Sequence, residues 1–331
     1  MHFPITFWIK KMILRKYFVS LIMLIITPVC GQETAIIDKA DSLLQQNQIV
    51  EAESLLHIQQ VDSSNRARTF YLLGVISLQR GDHESAIENL EKAIALEGTD
   101  ADFYFALSNA YGMKAAQSGL FGAFRATRKM RDLLEQTLLI DPGYREAKLL
   151  LFQFYLETPG ILGGDEDRAR RYAESFLKTD PSLGHYLLAL YWEDEGNEKK
   201  TEQELLLSLK SDPENVNVLN HLGYFYLNKK NAVDSQRYFS RAIEVAPETA
   251  NVYDSMGDFY AAVAEYDSAL NYYKRALQRD PEFTVSIYNK ARILEALGRP
   301  EEALTVYRDL ASHFPEDYYG RLARQRLREL D

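Results

Sequence analysis

The chain has 331 residues, a formal net charge of −10, 46% hydrophobic residues and a single Cys. This hydrophobic content allows a sizeable core, which excludes a wholly disordered chain. The acidic balance argues against nucleic-acid binding, because phosphate contacts need clustered Lys and Arg, and one Cys excludes an internal disulfide framework or a multi-cysteine zinc site.

Residues 1–31 have the three parts of a secretory signal. A basic stretch without acidic residues precedes the apolar run 17–28, and small residues follow it in Val29-Cys30-Gly31. The run spans about 18 Å as a helix, too short for a hydrocarbon core of about 30 Å. We therefore predict a signal peptide over 1–31, cleaved after Gly31, and export to the bacterial periplasm or the periplasmic face of the outer membrane.

Two alternatives stay open at this end of the chain. Cys30 is a candidate for lipidation after cleavage in front of it, although the preceding Ile26-Thr27-Pro28-Val29 departs from the Leu and small residues usual in bacterial lipoprotein signals. The basic stretch before Met12 is unusually long, so Met12 is an alternative start of translation.

The remainder of the chain repeats with a period of 34 residues. Segments 67–100, 216–249 and 250–283 align without gaps. Small residues recur at the eighth, twentieth and twenty-seventh places and a large residue at the twenty-fourth, as in Gly74, Ala86, Ala93 and Leu90; Gly223, Ser235, Ala242 and Phe239; and Gly257, Ala269, Ala276 and Tyr273. This pattern resembles the tetratricopeptide repeat (TPR), in which each unit is a pair of antiparallel helices.

The resemblance implies an all-α fold, a right-handed superhelical solenoid of about eight TPR units with a C-terminal capping helix. The same spacing places the units at 33–66, 67–100, 101–144, 145–181, 182–215, 216–249, 250–283 and 284–317, and the capping helix at 318–331. Small residues are expected where the two helices cross closely, with large residues filling the space beside them. Gly81, Gly196 and Gly298 fall in turns, where a left-handed conformation favours Gly.

Two units depart from this length between their first and second helices. The extra residues lie around 115–126 in the third unit and at 158–168 in the fourth, where Asp165 is expected to cap the next helix. We expect the two loops to lie side by side and to form an apolar edge of Leu120, Phe121, Phe124, Ile161, Leu162 and Asp165. One interpretation is that these residues pack together over a helix end, and the other is contact with a partner or a membrane surface.

In TPR proteins the first helix of each unit lines a concave groove. Carrying the lining places over to this chain gives nine acidic and two basic residues, the acidic ones being Asp41, Asp102, Glu146, Glu157, Glu193, Asp194, Asp254, Asp258 and Glu295. Such a groove lacks the Lys and Arg with which carboxylate-clamp TPRs hold an acidic peptide end. Its charge favours a neutral or basic segment.

Amide and aromatic side chains at the same places suit a peptide backbone and its side chains. We predict a partner-binding groove of Tyr71, Phe105, Asn109, Gln153, Tyr186, Asn217, Asn220, Tyr224, Asn251, Asp254 and Asp258. Alternatively, the Asn and Asp residues only keep the groove hydrophilic or cap helices. Asn217 and Asn251 fall at helix starts, where Asn caps are common.

The sequence contains no recognisable catalytic constellation. The five His residues after the signal lie in five different units, without metal-ligand spacing or a recurrent carboxylate or Ser partner: His57, His83, His185, His221 and His313. The acidic run 165–167 suggests a metal only weakly, because acidic residues are expected in the first turn of a helix.

We therefore predict a non-catalytic exported scaffold that binds a protein or peptide, with no cofactor, metal or nucleic acid. The alternative is a peripheral outer-membrane assembly or uptake component, attached through lipidated Cys30 or the apolar edge. A remote alternative is a small-ligand sensor or enzyme using the loop 158–168. The sequence does not specify the oligomeric state.

Overall fold

A computed structural model describes residues 32–57 and 66–330. The predicted signal peptide at 1–31, with Met12 and Cys30, lies outside the described residues. All regular elements in the described part are helices, which confirms the all-α fold class. The chain divides into two compact units, Met1–Tyr172 (unit 1) and Ala173–Asp331 (unit 2).

The helices of unit 1 are joined mostly by short turns. They are α1 (Gln32–Gln45), α2 (Ile49–His57), α3 (Arg66–Gln79), α4 (His83–Leu96), α5 (Ala101–Gln117), α6 (Leu120–Ile140) and α7 (Arg145–Glu157), followed by a 3₁₀ turn (Gly160–Leu162) and α8 (Glu166–Phe176), in which the boundary between the units falls.

Unit 2 continues the helical pattern. Its helices are α9 (Pro181–Asp194), α10 (Glu198–Ser211), α11 (Val216–Asn228), α12 (Ala232–Val245), α13 (Ala250–Ala262), α14 (Tyr266–Arg279), α15 (Thr284–Ala296), α16 (Pro300–His313) and α17 (Tyr318–Leu330). These helices alternate between the predicted first and second positions of the repeats, with α17 after the last pair. The repeat boundaries themselves stay a prediction.

The predicted close crossing of paired helices is confirmed in detail. A Cβ atom at Gly223 would lie 2.4 Å from the ring of Phe239, and Gly74 and Gly257 meet Leu90 and Tyr273 in the same way. The small residues at the twentieth and twenty-seventh places are fully buried: Ala86, Ala93, Ser235, Ala242, Ala269 and Ala276. The repeat spacing therefore specifies which side chains interlock within each pair.

The turns between paired helices use left-handed residues, as predicted. Gly81, Gly196 and Gly298 have φ of 78°, 68° and 71°. Asn47, Lys230 and Ala264 adopt the same conformation with φ of 59°, 59° and 60°, which costs more for a residue with a Cβ.

The extra residues of the third unit are not a loop, contrary to expectation. They lengthen both helices, so that α5 has 17 residues and α6 has 21, and only Ser118 and Gly119 separate them. Ala115, Ala116 and Ala123 favour helix, which explains why the insertion continues the flanking helices. The result is a helical hairpin whose two helices are longer than those of the other pairs.

Candidate functional site

The predicted groove aromatics of unit 1 pack against other residues of the same unit. The ring of Tyr71 stacks on Phe103 with 5.0 Å between centroids, and the Arg68 guanidinium lies 4.5 Å from the Tyr71 centroid. Phe105 lies 4.9 Å from Tyr144 in a tilted arrangement. These rings therefore contribute to the packing of neighbouring first helices as well as to their surface.

Tyr186 of unit 2 makes a similar contact. Its ring meets His221 edge-on at 5.7 Å, and His221 Nε2 lies 3.0 Å from Glu193 Oε2. His221 is thus engaged by an aromatic ring and a carboxylate within the protein.

The predicted amides differ in how much surface they offer. Asn109 is half-buried, and Gln153 Nε2 donates a 2.8 Å hydrogen bond to a carboxylate one turn further along α7. Asn217 and Asn251 are exposed in the first turns of α11 and α13. The cap of α11 is Asn215, which accepts from the N–H of Val218, so Asn217 is not needed for capping.

Asn220 stands apart from the other amides. It is half-buried on α11, and its Oδ1 atom is buried without a hydrogen-bond partner in the described part of the chain. A buried acceptor without a donor costs free energy, so a rotation of the side chain that turns this atom toward a bound N–H would be favourable.

Asp254 does not belong to an exposed groove, and its prediction as a partner contact is wrong. Its side chain is 4% exposed, and Oδ1 accepts a 2.5 Å hydrogen bond from the Ser286 hydroxyl of α15. Burial, together with the nearby Asp258 carboxylate, raises the pKa of Asp254 to about 7. The carboxyl group therefore links α13 to α15 inside unit 2.

Asp258, one turn further along α13, is half-buried and fully engaged. Its Oδ2 accepts from the Tyr224 hydroxyl at 2.8 Å, and its Oδ1 accepts from the Tyr273 hydroxyl at 2.7 Å and from Asn289 Nδ2 at 3.2 Å. Burial raises the pKa of Asp258, and the two tyrosine hydrogen bonds oppose that rise. Tyr224 and Asp258 thus connect helices of three successive pairs.

Other predicted groove carboxylates also have partners within the protein. Asp41 pairs with Arg68 at 3.1 Å, and Glu295 pairs with Arg326 at 2.6 Å. The surface is therefore less negative than the nine acidic positions suggest. Its exposed carboxylates include Glu193, which contacts His221, and Asp194, both at the end of α9.

The predicted apolar edge is largely exposed, which contradicts the interpretation that its residues pack together over a helix end. Leu120 and Phe121 are 77% and 82% exposed, and Ile161 is 93% exposed. Phe124 and Leu162 are partly covered, at 38% and 41%. Unit 1 therefore presents apolar side chains at the start of α6 and in the 3₁₀ turn.

The connection between α7 and α8 is held in a defined conformation. A Cβ atom at Gly164 would lie 1.6 Å from the Thr158 carbonyl oxygen, so only Gly fits there. Asp165 caps α8 as predicted, with its Oδ1 accepting from the N–H of Arg168 at 2.9 Å. Arg168 in turn binds Glu135 of α6 at 2.6 Å. The backbone of this connection is therefore fixed, while the Ile161 side chain that it carries is exposed.

Metal chemistry finds no support in the described residues. Across 32–57 and 66–330, no group of three or more His, Cys, Asp or Glu side chains is placed to hold a metal ion. Nor does any helix in those ranges have the length and apolar character needed to cross a membrane.

Sequence reasoning missed two groups of residues. The Asp254–Asp258 network is completed by Ser286, Asn289 and Tyr273. Of these, only Tyr273 could have been found from the sequence, through its place in the repeat. Exposed cations follow the apolar start of α6; a charge plot would have found them, because no acidic residue occurs between Asp102 and Asp132.

Comparison with family models identifies the repeat. Models described as tetratricopeptide repeat match residues 214–282 and 261–326, and one described as TPR repeat matches residues 74–114. The chain is a tetratricopeptide repeat protein. The matches in this TPR protein cover the units 216–249 and 250–283 and most of the unit 67–100.

Solved structures agree on the TPR fold. A tetratricopeptide repeat protein from Parabacteroides merdae has a TM-score of 0.59 and 15% identity, over 80% of this chain and 100% of its own. Yeast Tom70 has a TM-score of 0.69 and 15% identity, over 98% and 68%. The APC/C hetero-tetramer Cut9–Hcn1 has a TM-score of 0.50 and 16% identity, over 90% and 57%. Comparison with curated proteins gave no match.

Proposed function

We propose that this TPR protein is a non-catalytic exported scaffold that binds an extended protein or peptide segment along the first helices of unit 2. The surface, here called the amide surface, comprises Asn217, Asn220 and Asn251 of α11 and α13. The observation that carries the proposal is the buried Oδ1 of Asn220, which has no donor within the described residues. The half-buried Asn220 side chain rotates to present this atom to a backbone N–H of a bound segment, which supplies the missing hydrogen bond.

The exposed amides beside Asn220 extend the same contact. Asn217 and Asn251 occupy equivalent places in successive units, 34 residues apart, and their helices α11 and α13 are in contact. Each amide has a donor and an acceptor, so a row of them suits an extended backbone without demanding a particular side chain.

Charge decides which segments the amide surface accepts. Exposed Glu193 and Asp194 lie on α9, and Arg292 is the only cation at the predicted groove places of unit 2. The surface therefore favours a neutral or basic segment over an acidic one, although Asp254 contributes no exposed charge.

A peptide panel tests this proposal. Equal-length extended peptides that are basic, neutral or acidic are titrated by fluorescence anisotropy into the wild-type chain, Asn220→Leu and the control Asn271→Leu, an exposed position on the second helix α14. We expect basic and neutral peptides to bind best, and Asn220→Leu to weaken them about tenfold while leaving stability equal or higher. Tightest binding of acidic peptides, or equal binding by Asn220→Leu, would contradict the proposal.

The exposed apolar edge favours a second candidate, a peripheral component of an outer-membrane assembly or uptake system. In that case lipidated Cys30 or the apolar edge attaches the chain to the membrane. Mass spectrometry of the chain isolated from cell envelopes tests the lipid directly, because a diacylglyceryl group on Cys30 adds a defined mass. Fractionation of the unlipidated chain into the soluble envelope content would contradict this candidate.

A further inference from the structure

The first turns of α6 form an exposed face, here called the α6 tip, with apolar and cationic parts. Phe121, Phe124, Arg125 and Arg128 stand at positions i, i+3, i+4 and i+7 of α6, a spacing that places them on one side of a helix. Phe121, Arg125 and Arg128 are exposed, Phe124 is partly covered, at 38% exposure, and Leu120 extends the apolar end.

The cationic part is unusual for this acidic chain. Five cations and no acidic residue occur between Asp102 and Asp132: Lys114, Arg125, Arg128, Lys129 and Arg131. Within the residues that the structure describes, Arg125, Arg128 and Lys129 have no ion-pair partner. The α6 tip therefore presents free positive charge on a protein whose net charge is −10.

The connection between α7 and α8 lies against α6. The backbone at Gly163 lies against the Arg131 guanidinium, whose nearest nitrogen would be 3.0 Å from a Cβ atom there. Phe121 precedes Arg131 by ten residues, which is roughly 15 Å along a helix. α6 therefore contacts the connection that carries Ile161 through Arg131, while its start lies further along the helix, and both elements present apolar side chains on unit 1.

The order of side chains along α6 matches the layers of a bilayer surface. Leu120 and Phe121 come first, and Arg125, Arg128 and Lys129 follow one to two turns later, roughly 6–12 Å along the axis. Interfacial elements bury apolar residues about 5–10 Å deep while their cations remain at the phosphates. A protein partner would require no such separation.

We propose that the α6 tip binds the surface of an anionic phospholipid bilayer. Leu120 and Phe121 insert below the headgroups, and Arg125, Arg128 and Lys129 contact lipid phosphates. The proposal deepens the second candidate function and rests on it for the presence of a membrane. It is independent of the amide surface, since the two lie in different units.

Acidic residues near the edge limit where the lipid contact lies. Exposed Glu166 and Asp167 open α8, a few residues after Ile161. Their repulsion from anionic lipid confines the phosphate contacts to α6, so the charge test below is made there.

Co-sedimentation with vesicles tests the proposal. A chain that begins at Gln32, without the predicted signal peptide and its apolar run 17–28, is mixed with equimolar phosphatidylglycerol–phosphatidylcholine vesicles or with pure phosphatidylcholine vesicles. We expect partition into the anionic vesicles, and a loss of at least about tenfold for Phe121→Ser and for the double variant Arg125→Glu with Arg128→Glu. Added salt should weaken partition of the wild type.

Matched controls distinguish this contact from nonspecific hydrophobic adsorption to the vesicles. Val233 of α12 is 79% exposed, so Val233→Ser removes a comparable apolar side chain from unit 2 and should leave partition unchanged. Circular dichroism confirms that each variant folds. No partition of the wild type into anionic vesicles would overturn the proposal and leave the α6 tip to a protein partner. Partition that ignores lipid charge or Phe121→Ser would overturn it equally, while peptide binding tests the amide surface separately.

Discussion

The Asp254–Asp258 pair in unit 2 and the α6 tip in unit 1 contrast in where their side chains find partners. The carboxylates were expected on a surface, yet Ser286, Tyr224, Tyr273 and Asn289 satisfy them inside the unit. The apolar residues of the α6 tip could have packed within the protein, yet they remain exposed beside free cations.

This contrast shows that residue type alone does not identify a binding surface in a helical repeat. A charged residue on a first helix is available only if the next pair of helices leaves it uncovered. An apolar residue is available for binding when its helix is longer than the neighbouring helices. The predictions below test the two regions in order of expected effect.

The largest effect is expected for Asp258→Ala. The substitution leaves the Tyr224 and Tyr273 hydroxyls without their acceptor, so the free energy of unfolding should fall by about 2–4 kcal/mol. Phe121→Ser at the α6 tip should change it by less than about 0.5 kcal/mol, because that side chain is exposed. Urea unfolding of both variants measures the contrast, and equal losses would show that it is false.

A smaller, pH-dependent effect is expected for Asp254→Asn. Burial raises the pKa of Asp254 from 3.8 to about 7, so the folded chain holds this proton more tightly than the unfolded chain. The resulting stability is present at low pH and is lost as the pH rises from the ordinary value through 7. Thermal unfolding should show the wild type losing stability relative to Asp254→Asn over that range.

The control for the pH effect is Glu248→Gln, which neutralises an exposed carboxylate of the same unit. It should follow the wild-type pH dependence. If Asp254→Asn also runs parallel to the wild type at every pH, the carboxyl group is not protonated on folding and the buried network has been misread.

The smallest effect is expected at the turns, away from both regions. Ala264 has a φ of 60° between α13 and α14, so Ala264→Gly should raise the free energy of unfolding by about 1 kcal/mol. Gly298 holds the equivalent turn between α15 and α16 with a φ of 71°, and Gly298→Ala should lower it by about the same amount. Chemical unfolding that gives both substitutions the same sign would contradict this interpretation.

The sequence predicted which helices pair, but not how deeply individual side chains are buried. Gly223 opposite Phe239 followed from the repeat spacing, because both places lie within one pair. The burial of Asp254 depends on Ser286 in the next pair, and nothing in the spacing of α13 reports how closely α15 covers it. Asn220 was likewise predicted from its place in the repeat, but only the structure shows that its Oδ1 atom has no hydrogen-bond partner among the described residues.

The α6 tip shows a second limit of the sequence. The length of the third unit revealed an insertion that carries Leu120, Phe121 and Phe124. Spacing could not show whether ten extra residues form a loop that folds back or lengthen two helices. That difference decides whether Phe121 is buried or exposed, and it followed from the helix-favouring alanines rather than from the repeat.

The central claim is that the amide surface binds protein and the α6 tip binds lipid, and site-specific photo-crosslinking in living cells tests it most directly. A photoreactive side chain is placed at Asn251 of the amide surface, at Phe121 of the α6 tip, or at Val233 as a control. We predict a protein adduct from Asn251, a phospholipid adduct from Phe121 and neither from Val233. A protein adduct from Phe121 with none from Asn251 would contradict the account.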